Sequence, residues 1–197
     1  MKEFNAFPKM ARASRESVIT EKIDGTNAQI YIDEDNEMLV GSRKRWIIPG
    51  DDNFGFAAWV QENQDELMQL GPGRHFGEWW GQGIQRKYGL GEKRFSLFNT
   101  LRWHLQGEEP QRIPCGDPRV EKYQEELPGC CSLVPVLYRG EFSTVEIDKA
   151  VEGLRENGST AAPGFSNPEG VICFHIAGNF GLKKTLEKDE SPKGMNR

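Results

Sequence analysis

The sequence has no run approaching the roughly 18 apolar residues that a membrane span requires, and its start, Met1-Lys2-Glu3-Phe4, lacks the continuous apolar stretch of a secretory signal. The expectation is a cytoplasmic chain with no membrane partner. Cysteine and histidine are scarce: Cys115, Cys130, Cys131 and Cys173 include no C-x-x-C, and the histidines are His75, His104 and His175. That set does not suit a structural zinc site. In a reducing compartment Cys130-Cys131 reads as two small apolar residues entering a strand rather than as a redox pair. There is no internal repeat, no Walker-type loop and no G-x-G-x-x-G. An excess of positive charge is missing too, since 25 Lys and Arg against 30 Asp and Glu leave a net charge of -5. Such a balance argues against sequence-independent coating of nucleic acid, though not against a polynucleotide substrate.

What is present is a soluble, turn-rich composition: 37% hydrophobic, 28% charged and 10% aromatic over 197 residues, with 22 Gly and 11 Pro. This length fits a single domain over 1–197 with a sizeable core. The charges divide by sign along the chain. Cations gather at Arg43-Lys44-Arg45, Arg86-Lys87, Lys93-Arg94 and Lys183-Lys184, whereas acids gather between Glu108 and Glu126.

β-Branched residues predict a strand over 17–23, ended by Asp24-Gly25, and further strands over 28–32 and 38–42. Apolar spacing predicts a helix over about 54–70, with Asp51, Asp52 and Asn53 as N-cap candidates and Gly71-Pro72-Gly73 as its stop. Strands follow over 74–80 and 94–98, joined by a Gly-rich basic loop. The stretch over about 106–129 reads as an acidic surface insertion with one short helix after Pro118. Ser132 to Tyr138 returns to strand, and Ser143 with Glu146 forms a capping box that opens a helix to about 156. Strands over 169–176 and 180–186 are joined by a turn at Gly178-Asn179, before a polar tail over about 187–197. Paired strands with few helices argue for an α+β fold of mostly antiparallel sheets.

The densest chemical signal is Glu21-Lys22-Ile23-Asp24-Gly25-Thr26-Asn27. A lysine at the end of a buried strand, desolvated and set among cations, is favoured in its neutral, nucleophilic form, which can attack phosphorus. An ordered set follows it. Arg43 can neutralise a phosphate, Glu78 can accept from a ribose hydroxyl, Phe98 can stack on a base, Glu169 can hold a divalent cation, and Lys183 can meet an α-phosphate.

Together these residues resemble the nucleotidyltransferases of the ligase and capping-enzyme type, and most closely the ATP-dependent RNA ligases of the RNA ligase 2-like family. The resemblance runs from Glu21 to Lys183. It implies a nucleotidyltransferase domain of antiparallel sheets with flanking helices, ATP as cofactor with Mg²⁺ or Mn²⁺, and a covalent AMP on Lys22. It further implies that Glu21, Asn27, Arg43, Glu78, Phe98 and Lys183 bind the nucleotide or the RNA 5′-phosphate, that Glu169 holds metal, and that Lys183, or as a close alternative Lys184, acts on the α-phosphate. Asn99 stands where the family commonly has Asp, and the last motif has its two lysines adjacent rather than two apart. The few residues after Lys183 leave no room for a C-terminal accessory domain within this sequence. The expected partners are RNA ends bearing a 5′-phosphate and a 3′-hydroxyl, gripped with the help of a paired template or a partner protein. DNA nick sealing, guanylyl transfer on the same lysine, and nucleotide binding without turnover are the alternatives.

Overall fold

A computed structural model describes residues 4–7, 10–113, 122–187 and 189. The chain forms two compact units, the first drawn from Met1–Lys22, Val136–Thr160 and Ser166–Arg197, the second from Ile23–Pro135 and Ala161–Phe165. Among the described residues no helix is long and apolar enough to cross a membrane.

In the first unit, strands β1 (Glu16–Lys22), β9 (Val136–Glu141), β10 (Gly170–His175) and β11 (Phe180–Thr185) form an antiparallel sheet in the order β11-β10-β1-β9. Helix α3 (Thr144–Asn157) packs Ile147, Val151 and Leu154 against Ile19, Val171 and Cys173 of the sheet. Full burial of each such aliphatic side chain is worth about 2 kcal/mol. The helix starts where the capping box places it, Ser143 Oγ accepting from the Glu146 amide at 3.4 Å. The Glu146 carboxylate itself pairs with Lys149 at 2.8 Å.

The second unit is built on a five-stranded sheet in the order β3-β2-β4-β5-β8, formed by β2 (Thr26–Ile32), β3 (Met38–Ser42), β4 (Gly73–Gly81), β5 (Lys93–Leu97) and β8 (Ser132–Leu133). Its pairings are antiparallel except the short β5–β8 contact, in keeping with the expected α+β class of mostly antiparallel sheets. Alternation sends Ile30, Ile32, Trp79, Phe95 and Leu97 to one face, where they pack with Phe56, Val60 and Leu67. Phe56 lies between the Trp79 and Phe95 rings, with centroids 5.4 and 4.9 Å away. The opposite face carries polar residues and partly exposed aromatics, together with Trp80, which is buried with Ile23, Tyr88 and Val134.

Three expectations shift. The helix over 54–70 is interrupted, forming α1 (Phe56–Glu62), α2 (Gln64–Leu67) and a 3-10 turn at Met68–Leu70. Asn63 at the break has φ of -111°, and its side-chain amide donates to the Trp59 carbonyl at 2.8 Å. The start moves to Phe56 because Gly55, with φ of 80°, turns the chain, while Asp52 accepts from the amides of Ala57 and Ala58 at 2.8 and 3.0 Å. The run from Ser132 to Tyr138 is two strands in different sheets, β8 and β9, parted at Pro135, which has no N–H for a ladder. Within 106–129, Leu127 is buried in the core, and Glu125–Glu126 (β7) pairs with Trp103–His104 (β6). The helix expected after Pro118 and most of the tail lie outside the described residues.

Candidate active site

Lys22 is the last residue of β1, and its Nζ forms an ion pair with the carboxylate of Glu169, the residue before β10. The pair is largely enclosed, with side-chain exposures of 19% and 6%. The sequence placed Lys22 among cations; the group at its ammonium is instead this carboxylate. Strand pairing fixes it. Lys22 lies opposite Gly170, which lies opposite Thr185, and the Glu169 carbonyl accepts from the Leu186 amide at 3.0 Å. Gly170 has φ of 152°, and a Cβ there would sit 2.2 Å from the Lys184 carbonyl oxygen, so only glycine lets β10 and β11 meet at this point.

The same register separates the two adjacent lysines. Residues paired across an antiparallel sheet share a face, and neighbours along a strand alternate. Lys184 pairs with Val171, which in turn pairs with Glu21, on the face that α3 covers, and its Nζ donates to Asp148 of α3 at 2.5 Å. That hydrogen bond raises its pKa. Lys183 pairs with Ile172, which in turn pairs with Thr20, on the same face as Lys22. It is exposed, with no ion-pair partner among the described residues. Lys183 therefore shares the face of Lys22, and Lys184 does not. Glu21 is buried, its carboxylate accepting from Ser159 Oγ at 2.6 Å and the Thr160 amide at 2.8 Å. These contacts anchor the loop after α3.

In the second unit, Asn27 of β2 lies opposite Glu78 of β4, and its side-chain amide donates to Glu78 Oε2 at 3.1 Å. The Gly25 amide donates to Glu78 Oε1, also at 3.1 Å. Gly25 has no room for a side chain, since a Cβ would lie 2.5 Å from the Trp79 carbonyl and 2.7 Å from the Trp80 Cβ. The glycine of Lys22-Ile23-Asp24-Gly25 is thus required by close approach to β4. Phe98 follows β5, hydrogen-bonded through its amide to the Phe76 carbonyl at 2.9 Å and 42% exposed. The ladder puts Phe98 and Phe76 beside the row of Asn27, Glu78 and Ser96, on the face away from the core. Arg43 is exposed in the loop after β3.

Two contacts at Asp24 had no sequence signal beyond a Gly-rich basic loop. Its amide donates to the Tyr88 hydroxyl at 2.8 Å, and its carboxylate accepts from Arg86 Nε at 3.0 Å. Tyr88 is buried against Trp80 and Phe165. The loop holds Gln85, Lys87 and Tyr88 at φ of 43°, 60° and 50°, a conformation costing about 1 kcal/mol or more per residue and one that the surrounding packing must impose. As for metal, no group of three or more His, Cys, Asp and Glu side chains that could hold an ion occurs among the described residues. A single carboxylate such as Glu169 suits Mg²⁺ or Mn²⁺ shared with nucleotide phosphates, because Mg²⁺ is commonly held by one or two carboxylates plus the substrate.

The fold has solved counterparts. A point mutant of the Naegleria gruberi RNA ligase with ATP and Mn aligns with a TM-score of 0.58 at 18% identity, covering 89% of this chain and 51% of that one. A second mutant with ATP and Mn aligns at 0.57 and 19%, covering 91% and 52%, and the same ligase with PPi at 0.56 and 19%, covering 87% and 50%. The chain spans about half the length of these ligases. No curated protein sequence matches it. The RNA ligase family model matches residues 15–184, which takes in Lys22, Asn27, Arg43, Glu78, Phe98, Glu169 and Lys183, and the chain belongs to the RNA ligase family.

Proposed function

We propose that the chain is an ATP-dependent RNA ligase that works through an AMP bonded to Lys22. The observation that carries this reading is the face of the first unit's sheet that Lys22 shares with Lys183, where Glu169 reaches the Lys22 ammonium, so that an amine, a carboxylate and a second cation are present. In the first step the amine of Lys22, its proton released to solvent, attacks the α-phosphorus of ATP; a P–N bond forms, the bond to the β-phosphate oxygen breaks, and pyrophosphate leaves. In the second, an oxygen of an RNA 5′-phosphate attacks the same phosphorus and the P–N bond breaks. In the third, a 3′-hydroxyl attacks the activated 5′-phosphorus, loses its proton to solvent and expels AMP.

The chain's own part is positioning and charge neutralisation. Lys183 offsets charge on the α-phosphate, Glu78 accepts from the ribose, Phe98 offers its ring to adenine, and Arg43 meets a phosphate of the nucleotide or of the RNA end. Asn27 holds the Glu78 carboxylate in place. Glu21 supports the nucleotide site indirectly, through the loop at Ser159 and Thr160. Glu169 would hold Mg²⁺ or Mn²⁺, which when bound supplies positive charge against the phosphates. Glu169 would then no longer be committed to the Lys22 ammonium.

The test is incubation with a divalent metal and α-labelled ATP or GTP, followed by denaturing electrophoresis. ATP label retained on the native chain and lost in Lys22→Ala is the expected result. Label from GTP alone would replace the reading with a capping-type transfer, and label from neither, in folded and nucleotide-free protein, would remove it.

A further inference from the structure

The open face of the five-stranded sheet carries a second cluster, away from the row of Asn27 and Glu78. Tyr31 of β2 pairs in register with Arg74 of β4, four residues beyond Asn27 and Glu78 on the same face, or about 13 Å along the strands. The Arg74 guanidinium carbon lies 4.6 Å from the Tyr31 ring centroid and 5.4 Å from that of Trp46, and the two rings are 6.3 Å apart. Trp46 is brought there by a tight return of the chain: the Ser42 amide and hydroxyl both donate to the Arg45 carbonyl, at 2.8 and 3.1 Å, and Trp46 bridges to Gly41. Gln29 braces the group, its amide oxygen accepting from Arg74 at 3.2 Å and its nitrogen donating to the Ser42 carbonyl at 3.2 Å. Gly41 makes this possible, since a Cβ there would meet Gln29 Cγ at 2.8 Å.

Trp46 remains 44% exposed and Phe76, next along the same face, 50%. The charges around them are unequal in kind. Arg45 is neutralised by both carboxylate oxygens of Asp51, at 2.6 and 2.8 Å, whereas Lys44 and Arg74 have no carboxylate partner among the described residues. Exposed rings braced by a guanidinium, beside uncompensated cations, in a chain whose net charge is -5, match a ligand that is itself flat, stackable and anionic.

We propose that Tyr31, Trp46 and Arg74 form a stacking platform for unpaired bases of a polynucleotide strand, with Arg74 and Lys44 facing its phosphates. The proposal rests on the ligase reading for the identity of the strand, and it adds that the enzyme grips an unpaired stretch rather than only a paired end. Bases within a duplex are already stacked and cannot use the platform.

The experiment is fluorescence anisotropy of the full chain with a labelled, unstructured single-stranded RNA, and with the same strand fully paired. Trp46→Ala weakens single-strand binding about tenfold, Trp46→Phe keeps most of it, and duplex binding changes little. Arg74→Gln, a surface change that keeps the core intact, also weakens binding and reduces the log–log salt slope by about 0.7. Unchanged single-strand affinity in Trp46→Ala and Arg74→Gln, equal losses for strand and duplex, or no strand binding by the native chain would each overturn the platform. Labelling of the same preparations by ATP separates the two readings: labelled protein with an inert platform leaves the ligase standing, and platform-dependent binding without label removes the ligase alone.

Discussion

The four-stranded sheet sets charged side chains against one another beside an aliphatic core, and the five-stranded sheet sets a carboxylate among amide donors beside a core of large rings. In the first, Lys22 with Glu169, Lys184 with Asp148 and Arg139 with Glu16 are all cation–carboxylate pairs, over a small aliphatic core under one helix. In the second, Glu78 is held by an amide side chain and a backbone N–H, over a large core that includes Phe56, Trp79 and Phe95. A largely enclosed ion pair adds little net stability, because desolvation offsets the attraction. The Lys22–Glu169 pair is therefore better read as placing the two side chains side by side than as a fastener. The amide donors at Glu78 instead fix the direction of its two carboxylate oxygens.

If the first sheet carries the reaction, the largest effect falls on its nucleophile: Lys22→Ala should lower ATP labelling by at least about a thousandfold, read by electrophoresis of the labelled chain. Next comes the contrast between neighbours. Lys183→Ala should lower the labelling rate about a hundredfold, as removal of one charge-stabilising donor does elsewhere, whereas Lys184→Ala, which breaks an exposed pair on the other face, should change it less than about threefold. Equal losses in the two would erase the assignment by sheet face. A smaller effect is expected in the second sheet. Glu78→Gln should raise the ATP concentration for half-maximal labelling about tenfold while leaving the saturated rate nearly unchanged, a split visible in a titration of labelling rate against ATP.

The smallest effect concerns stability alone. Burial lowers the pKa of His75, whose Nε2 lies 2.9 Å from the Gly71 carbonyl. The folded state then resists the proton that the unfolded chain accepts near pH 6.5, so this stability is present above that value and lost as pH falls toward the lowered one. Melting temperature measured from pH 8 down to 5 should fall more steeply in the native chain than in His75→Gln.

Much of this comparison was legible in the sequence, and what was not depended on register. The β-branched run before Lys22, the Ser143 capping box and the spacing of Glu78 and Glu169 all act locally or through a family pattern, so they could be read one residue at a time. The faces that Lys183 and Lys184 occupy could not. They are neighbours in sequence and are parted only by strand alternation, which takes meaning once β11 is paired with β10. The break at Asn63 escaped because apolar spacing continues through it. The split at Pro135 escaped because one apolar run feeds two sheets. The Tyr31, Trp46 and Arg74 cluster draws on three separate segments, and no linear pattern marks it.

The central claim is that Lys22 accepts the nucleotide. The most direct measurement is to incubate the native chain with ATP and divalent metal, digest it, and locate the AMP by tandem mass spectrometry. AMP on Lys22 through a P–N bond is the predicted result, whereas AMP on Lys183, Lys184 or another residue, or nucleotide held only noncovalently, would contradict the account.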